Sequence, residues 1–199
     1  DGGQKKIVLV VSAMSGVTND LVKEFKKIDD ETNNPEYDVV LSTGEQYSSA
    51  IISAYLNKNG IKSRSVLGWQ IPVFTDNYYG KSKIQSIDHK MLKNCLKKFD
   101  VLVVAGFQGV NLENRITTLG RGGSDTSAVA ISAALNSRTC EIYTDVKGIY
   151  SADPRLIKNA KKIRNITYEE ILEMAALGSK VLHPRSVELA MKYDIKIHV

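Results

Sequence analysis

The chain has 199 residues, of which 43% are hydrophobic and 25% are charged, which is typical of one folded domain and excludes a disordered or fibrous protein. The net charge of +5 is spread along the sequence without a basic run, which favours a solvated surface over a nucleic-acid interface. The two cysteines and three histidines lack metal-site spacing, and the first apolar run, Ile7–Val11, is too short to span a membrane, so we expect a cytoplasmic protein with no structural zinc.

The first half of the chain alternates between strand and helix patterns. Residues 6–12 form a continuous β-branched apolar run, which is typical of a strand buried on both faces of a parallel sheet. After a polar turn, apolar spacing predicts a helix over 20–28 and a longer helix over 37–58, which ends near Gly60. The remaining predictions in this half are strands over 62–67 and 71–74, a turn over 77–80, and a helix over 88–98 that begins at Asp88.

The second half continues the alternation. Residues 101–107 form a second buried strand, a hairpin or loop over 108–119 leads to a glycine cluster, and small residues over 124–135 predict a helix. The later predictions are a strand over 139–144, a helix over 168–177 behind a capping box of Thr167 and Glu170, a helix from Pro184, and a strand over 195–199. This order predicts an α/β fold with a mostly parallel central sheet, helices on both faces, and ligands beyond the carboxyl ends of the strands.

The segment TTLGRGGSDTSA, residues 117–128, predicts an anion-binding loop. Its glycines let the backbone approach an oxyanion, and the helix start that follows offers unpaired N–H groups and a partial positive charge. Arg121 adds a planar donor fork for a carboxylate or phosphate. The alternative is a glycine-rich turn in which Ser124 or Asp125 is an ordinary N-cap. The sequence has no GxxxxGK[ST] string and no GxGxxG after the first strand, which argues against a Walker loop and a nicotinamide cofactor.

Two other segments carry polar groups that suit a small charged ligand. SAMSGVTN, residues 12–19, follows the first buried strand, and its hydroxyls and glycine can bind a small anion. A plain turn that leads into a helix is the alternative for this segment. LSTGEQ, residues 41–46, places Glu45 among small or apolar residues, where it can face a cationic group of a ligand. The alternative for Glu45 is a solvated glutamate near a helix start.

Two later segments suit a nucleotide. YTDVKGIYSADPR, residues 143–155, follows a predicted strand, so that polar groups of its first residues can bond to a base or ribose and an aromatic ring can lie against the base. GSKVLHP, residues 178–184, places a lysine between a helix end and a short apolar pair, within reach of phosphates. The alternatives are a surface loop of routine turn residues and a surface lysine.

Six of these strings resemble the aspartate kinases of the amino acid kinase superfamily, in the order in which that family has them. They are VVSAMSGVTN, STGEQ, TDNYYGKSKI, TTLGRGGSDTSA, YTDVKGIYSADPR and GSKVLHPRS, and the resemblance covers nearly the whole chain. It implies ATP-dependent phosphorylation of the side-chain carboxylate of L-aspartate, which is the first step toward lysine, threonine, methionine and diaminopimelate. It also implies Mg²⁺ as the ion that bridges the phosphates, and a homo-oligomer in the full-length protein.

The resemblance assigns a role to each matching residue. Ser12 and Thr18 would lie near the reacting carboxylate, Glu45 would bind the substrate ammonium, and Arg121 would bind its α-carboxylate. Ser124 and Asp125 would complete the pocket, and Asp125 would act through hydrogen bonds or a metal-coordinated water. The expected catalytic residues are therefore Ser12, Thr18 and Asp125. The residues expected to hold ATP are Thr144, Asp145, Tyr150, Arg155 and Lys180.

The sequence departs from the family pattern at both ends. Aspartate kinases open with a KFGGTS-like segment whose lysine contacts the transferring phosphate, and they carry C-terminal ACT domains; neither feature is present in residues 1–199. We therefore expect an amino acid kinase catalytic domain that is incomplete at both ends. Losing such a lysine costs roughly 10²–10³ in rate, so an inactive remnant or nucleotide-binding fragment is one alternative. Another member of the amino acid kinase family is the second.

Overall fold

The structure is a computed structural model that describes residues 6–153, 156–177 and 181–199. The strands are β1 (Ile7–Val11), β2 (Ser63–Val66), β3 (Val73–Thr75), β4 (Ile84–Ile87), β5 (Val101–Ala105), β6 (Gln108–Val110), β7 (Ile116–Thr118), β8 (Thr139–Glu141) and β9 (Lys196–His198). The helices are α1 (Val17–Lys26), α2 (Pro35–Lys58), α3 (His89–Lys98), α4 (Gly123–Ala134), α5 (Tyr168–Ala176) and α6 (Pro184–Tyr193).

Side-chain caps lie at the start of four of these helices, including α6, where His183 Nδ1 accepts from the Arg185 amide. The Asn34 side chain accepts a hydrogen bond from the Glu36 amide at the start of α2. The Asp88 carboxylate accepts from two amides in the first turn of α3, as its position in the sequence predicted. The predicted capping box of Thr167 and Glu170 is formed at α5, with both reciprocal hydrogen bonds present. These polar residues therefore set the helix boundaries locally, independently of tertiary packing.

The strands form three hydrogen-bonded sheets. One is all parallel, in the order β1-β5-β2; one is mixed, in the order β4-β3-β6-β7; and the third pairs β8 with β9 in parallel. The segment over 108–119 is the hairpin β6–β7, and β4 is a short strand that the sequence patterns did not indicate. The prediction of an α/β fold with mostly parallel strands is confirmed.

Helices cover both faces of the β1-β5-β2 sheet, as predicted. On one face, Ile52 and Leu56 of α2 pack against a cluster that includes Val103 of β5. On the other face, Leu92 of α3 and Ile131 of α4 lie in a cluster with alternate residues of the same strand. Because the helices hold the sheet from both sides, the loops at the strand ends are left to form a site.

The prediction that β1 is buried on both faces is wrong. Ile7 is 53% exposed and Leu9 is 36% exposed, whereas all five residues of β5 are buried. The reason is position: β1 lies at the edge of its sheet within the described residues and pairs with β5 alone. Only the last residue of β1, Val11, is fully covered, where the strand runs into the site.

Helix α2 buries a polar face. Its apolar residues Tyr47, Ile51 and Tyr55 recur at every fourth position and are exposed. Its buried side combines the apolar Tyr37 and Leu41 with polar residues at helical spacing, namely Asp38, Ser42, Glu45 and Ser49. The burial of its acids therefore points to a site rather than to core packing.

Candidate functional site

A cavity of about 270 Å³ opens beyond the carboxyl ends of β1 and β5, where the parallel topology predicts a ligand. Its walls come from the segment after β1, from α1 and α2, from Phe107 shortly after β5, and from the glycine loop that begins α4. The lining side chains and backbone are those of Ser12, Ala13, Thr18, Glu45, Phe107 and the loop 120–125.

Six predicted site residues come together in this cavity, although they belong to three segments that are distant in sequence. The structure thereby joins the segments 12–19, 41–46 and 117–128 at one place. The six are the residues expected from the resemblance to bind the substrate: Ser12, Thr18, Glu45, Arg121, Ser124 and Asp125.

Glu45 is buried in the middle of α2, with 3% of its surface exposed. Its Oε1 atom accepts a hydrogen bond of 2.9 Å from the Ala13 amide, whereas its Oε2 atom has no hydrogen-bond partner among the described residues. Burial raises the pKa of Glu45 from 4.5 to about 7, and the Ala13 hydrogen bond opposes that rise. The alternative of a solvated glutamate near a helix start is therefore wrong, and the free oxygen is suited to a cationic group of a ligand.

Gly44 brings the segment after β1 against α2. A Cβ at this position would lie 2.7 Å from the Ala13 Cβ atom, so only glycine permits the approach. The same approach places the Ala13 amide within hydrogen-bond distance of Glu45. The string STGEQ thus contains both the glycine that permits the close approach, Gly44, and the acid that accepts the resulting hydrogen bond, Glu45.

The glycine loop forms the N-terminus of α4. Gly122 is the N-cap, with φ at +72°, and no side chain caps the helix. The alternative in which Ser124 or Asp125 is an ordinary N-cap is therefore wrong, since both lie in the first helical turn. Such a turn presents unpaired N–H groups and the positive end of the helix dipole, and here it faces the cavity.

The charges and hydroxyls of the cavity are largely unpaired. The Arg121 guanidinium and the hydroxyls of Ser12, Thr18 and Ser124 have no hydrogen bond or ion pair within the described ranges. Burial raises the pKa of Asp125, and the nearby His183 partly offsets that rise. Among the described residues, the cavity is therefore lined by an unpaired cation and several unpaired donors as well as by the buried Glu45 carboxylate.

Two residues of the site were not singled out by the sequence patterns. Phe107 lines the cavity with φ at +67°, an unusual conformation for a bulky residue. Two hydrogen bonds hold its backbone in place. The Phe107 amide donates to the Ser127 hydroxyl, and the Phe107 carbonyl accepts from the Leu119 amide. His183 packs directly behind the glycine loop, where a Cβ on Gly122 would lie 2.3 Å from the His183 Cβ atom. Neither contact has a local sequence signal.

Of the residues expected to hold ATP, the three that the structure describes do not line this cavity. Thr144 and Asp145 are exposed on the loop after β8, where the Thr144 hydroxyl donates to Asp145 at 3.2 Å. Tyr150 is half-buried further along that loop, in a β-bridge with Lys162. Arg155 and Lys180 lie outside the described residues. The nucleotide assignment therefore stays a prediction.

No helix in the described ranges is long and apolar enough to cross a membrane. In the same part of the chain, no group of three or more histidine, cysteine, aspartate or glutamate side chains could hold a metal ion.

The chain matches the model of the amino acid kinase family over residues 1–199. It is 49% identical to an aspartokinase of Rickettsia felis over 98% of this chain and 49% of that protein, so it spans about half the length of such relatives. The crystal structure of E. coli aspartokinase III in complex with aspartate and ADP superimposes with a TM-score of 0.82, at 26% identity, over 96% of this chain and 54% of that one. Aspartate kinase from Synechocystis superimposes with a TM-score of 0.78, at 45% identity, over 96% and 31%.

We predict that Glu45→Gln reduces the pH dependence of stability. Since the folded-state pKa of Glu45 is raised from 4.5 to about 7, its contribution to stability is full below pH 4.5 and is lost as the pH rises to about 7. The free energy of unfolding should fall between pH 5 and pH 8, and the variant should remove about 2 kcal/mol of that fall. Urea unfolding at both pH values measures this. The exposed Glu173→Gln is the control, and an equal fall in wild type and Glu45→Gln would contradict the prediction.

We predict that Gly122→Ala is more destabilising than Gly16→Ala. Both glycines are left-handed N-caps, with φ at +72° and +87°, so both variants carry the same backbone strain of about 1 kcal/mol. A Cβ at Gly16 meets nothing within 4 Å, whereas a Cβ at Gly122 collides with His183. Gly122→Ala should therefore lose at least about 2 kcal/mol more in urea unfolding. Equal losses would show that the loop moves away from His183 without cost.

Proposed function

Because the chain belongs to the amino acid kinase family, we propose that it is the catalytic domain of an aspartate kinase, which transfers the γ-phosphate of ATP to the side-chain carboxylate of L-aspartate. The observation that carries this proposal is a single cavity lined by both Glu45, whose Oε2 atom has no hydrogen-bond partner among the described residues, and Arg121, whose guanidinium has none there either. The identity of 49% to an aspartokinase supports the choice of substrate within the family.

An α-amino acid is a zwitterion, and the cavity offers one partner for each of its charges. The free Oε2 of Glu45 suits the substrate ammonium, which would supply the cation that this buried carboxylate lacks. The planar guanidinium of Arg121 suits the α-carboxylate, to which it can donate two parallel hydrogen bonds. These two contacts would fix the orientation of the substrate and leave its side chain to react.

The side-chain carboxylate would lie among the hydroxyls of Ser12, Thr18 and Ser124 and the first turn of α4. One of its oxygens attacks the γ-phosphorus as the bond from that phosphorus to the β–γ bridging oxygen breaks, which gives 4-phospho-L-aspartate and ADP. A carboxyl group with a reference pKa of about 4 is already ionised at neutral pH, so no general base is needed. Positioning and neutralisation of charge therefore carry the catalysis.

ATP would be held by Thr144, Asp145 and Tyr150, together with Arg155 and Lys180, as the resemblance implies. Mg²⁺ would arrive with the nucleotide, because this ion is usually bound by phosphates, water and one or two carboxylates rather than by a protein cage. Asp125, which lines the cavity, is a carboxylate that suits that mode. Asp125, Ser12 and Thr18 are the residues proposed to touch the reacting groups.

The wider role follows from the same proposal. The product would feed the synthesis of lysine, threonine, methionine and diaminopimelate, and use of ATP supports a cytoplasmic location. We propose a homo-oligomer for the full-length protein, which the exposed apolar stripe of Tyr47, Ile51 and Tyr55 on α2 supports. L-aspartate and ATP are the proposed small-molecule partners.

Trapping with hydroxylamine tests the activity. We expect the chain, with Mg-ATP and hydroxylamine, to form a hydroxamate from L-aspartate and not from L-glutamate. A hydroxamate from another substrate would favour another member of the amino acid kinase family. Nucleotide binding without any hydroxamate would favour an inactive remnant, as expected if an N-terminal phosphate-binding lysine is essential.

We predict that Arg121→Ala weakens L-aspartate binding by about a hundredfold, because truncating one partner of a charged hydrogen-bonded pair costs roughly 2–5 kcal/mol. ATP affinity should stay within twofold of the wild type, since Arg121 is assigned to the α-carboxylate. Isothermal titration with each ligand measures both effects. Arg115→Ala is the control, since Arg115 pairs with Glu36 at the surface and does not line the cavity. Loss of ATP affinity with aspartate affinity retained would assign the glycine loop to the nucleotide instead.

We predict that L-aspartate binds more tightly as the pH rises toward 7. The ammonium needs the ionised form of Glu45, whose pKa is raised to about 7 by burial. The dissociation constant should therefore fall about tenfold per pH unit between pH 5.5 and 6.5 and level off above 7.5. Titrations across this range in wild type and Glu45→Gln measure the effect. The variant should bind weakly at every pH; a slope that survives in Glu45→Gln would assign it to another group.

A further inference from the structure

Asp38 is a fully buried carboxylate outside the cavity, with 0% of its surface exposed. Its oxygens accept hydrogen bonds from two segments that lie 42 and 80 residues away in sequence. The Gly80 amide donates at 2.9 Å to Oδ1 and at 3.1 Å to Oδ2. The Thr118 amide donates to Oδ2 and the Thr118 hydroxyl donates to Oδ1, both at 2.6 Å.

This carboxylate has no ion-pair partner among the described residues. Burial raises the pKa of Asp38 to about 6 against the effect of its three hydrogen-bond donors. Burying an acid without a cation lowers stability, yet Asp38 uses this arrangement to join α2 to Gly80 and Thr118. The cost indicates that the relative positions of these three segments matter.

The two segments that donate to Asp38 lie against the start of the glycine loop, residues 120–123. Thr118 is the last residue of β7 and stands two positions before Gly120, and its carbonyl accepts from the Ser82 amide at 2.9 Å. The Gly80 carbonyl oxygen lies 3.0 Å from where a Cβ on Gly120 would be, so the two donor segments touch at the start of the loop. Asp38 therefore sits where β7, the turn near Gly80 and the glycine loop meet.

Asp38 and Glu45 lie on the same buried face of α2, seven residues or two helical turns apart. One rigid helix thus carries the group proposed for the substrate ammonium and the group that anchors the loop of Arg121. We infer that Asp38 is a positioning residue, which sets the distance between Glu45 and the glycine loop so that both charges of the amino acid can be bound. This inference rests on the proposed function.

Substitutions at Asp38 separate positioning from general stability. Asp38→Ala removes every acceptor, whereas Asp38→Asn can rescue it, because the amide oxygen can accept from both backbone amides while its NH₂ donates to the Thr118 hydroxyl. Asp76→Ala is the matched control, since its Oδ1 accepts from the Tyr78 and Lys83 amides at the same turn without touching β7. Isothermal titration at pH 7.5 gives the affinities for L-aspartate and ATP.

We expect Asp38→Ala to weaken L-aspartate binding at least tenfold with ATP affinity within twofold, and Asp38→Asn and Asp76→Ala to stay within threefold of the wild type for both. Equal loss of both affinities, or unchanged aspartate affinity, would overturn the inference. If Asp38→Ala does not fold, Thr118→Val decides instead, because it removes one hydrogen bond to Asp38 and should weaken aspartate binding at least threefold.

Hydrogen exchange keeps this test distinct from that of the proposed function. Amides of residues 118–123 should exchange at least tenfold faster in Asp38→Ala than in wild type, with no such change in Asp76→Ala. If the wild-type chain binds no L-aspartate, the proposed function fails, and the exchange rates alone decide whether Asp38 holds the loop. Unchanged rates there would overturn the inference.

Discussion

The burial of an unpaired carboxylate on helix α2 is the constraint on which the rest of the site depends. Glu45 can be desolvated only because the segment after β1 approaches closely enough for the Ala13 amide to donate to it, and that approach requires Gly44. The arrangement leaves one oxygen without a partner among the described residues and raises the pKa of the acid. In the proposed function, an ammonium group would supply both the missing partner and a counter-charge, so the cost of burying Glu45 would become selectivity for an amine.

Helix α2 buries two acids in this way, and both lower stability at neutral pH. Asp38 and Glu45 are both buried with raised pKa values, and the contribution of each to stability declines as the pH rises from about 4 toward neutrality. On the same helix, Tyr47, Ile51 and Tyr55 are exposed while these two acids are buried. Stability at neutral pH is therefore lowered by the two acids that the proposed function assigns to binding and positioning the substrate, a trade-off that is common at functional sites.

Local signals in the sequence predicted much of the fold, and long-range contacts account for the misses. The buried strand β5 and the capping box at Thr167 are encoded by adjacent residues, and both are confirmed. The exposure of β1 depends on which strands flank it, and the left-handed conformation of Phe107 depends on Ser127 and Leu119, which no local pattern connects to it. The role of Asp38 was equally hidden, because its donors lie 42 and 80 residues away.

Helix α4 relates the cavity to the loop predicted to bind nucleotide. Its first turn faces the cavity, while further along it Val129 packs with Cys140 of β8, the strand whose end begins the loop of Thr144 and Asp145. Small residues in α4 permit this close packing. In-line transfer needs acceptor and donor at a fixed separation, because positioning supplies most of the catalysis. A helix between the two loops would provide that separation, so the contacts that anchor its start, from Asp38 through Thr118, would set where the acceptor lies relative to the nucleotide without changing how tightly ATP binds.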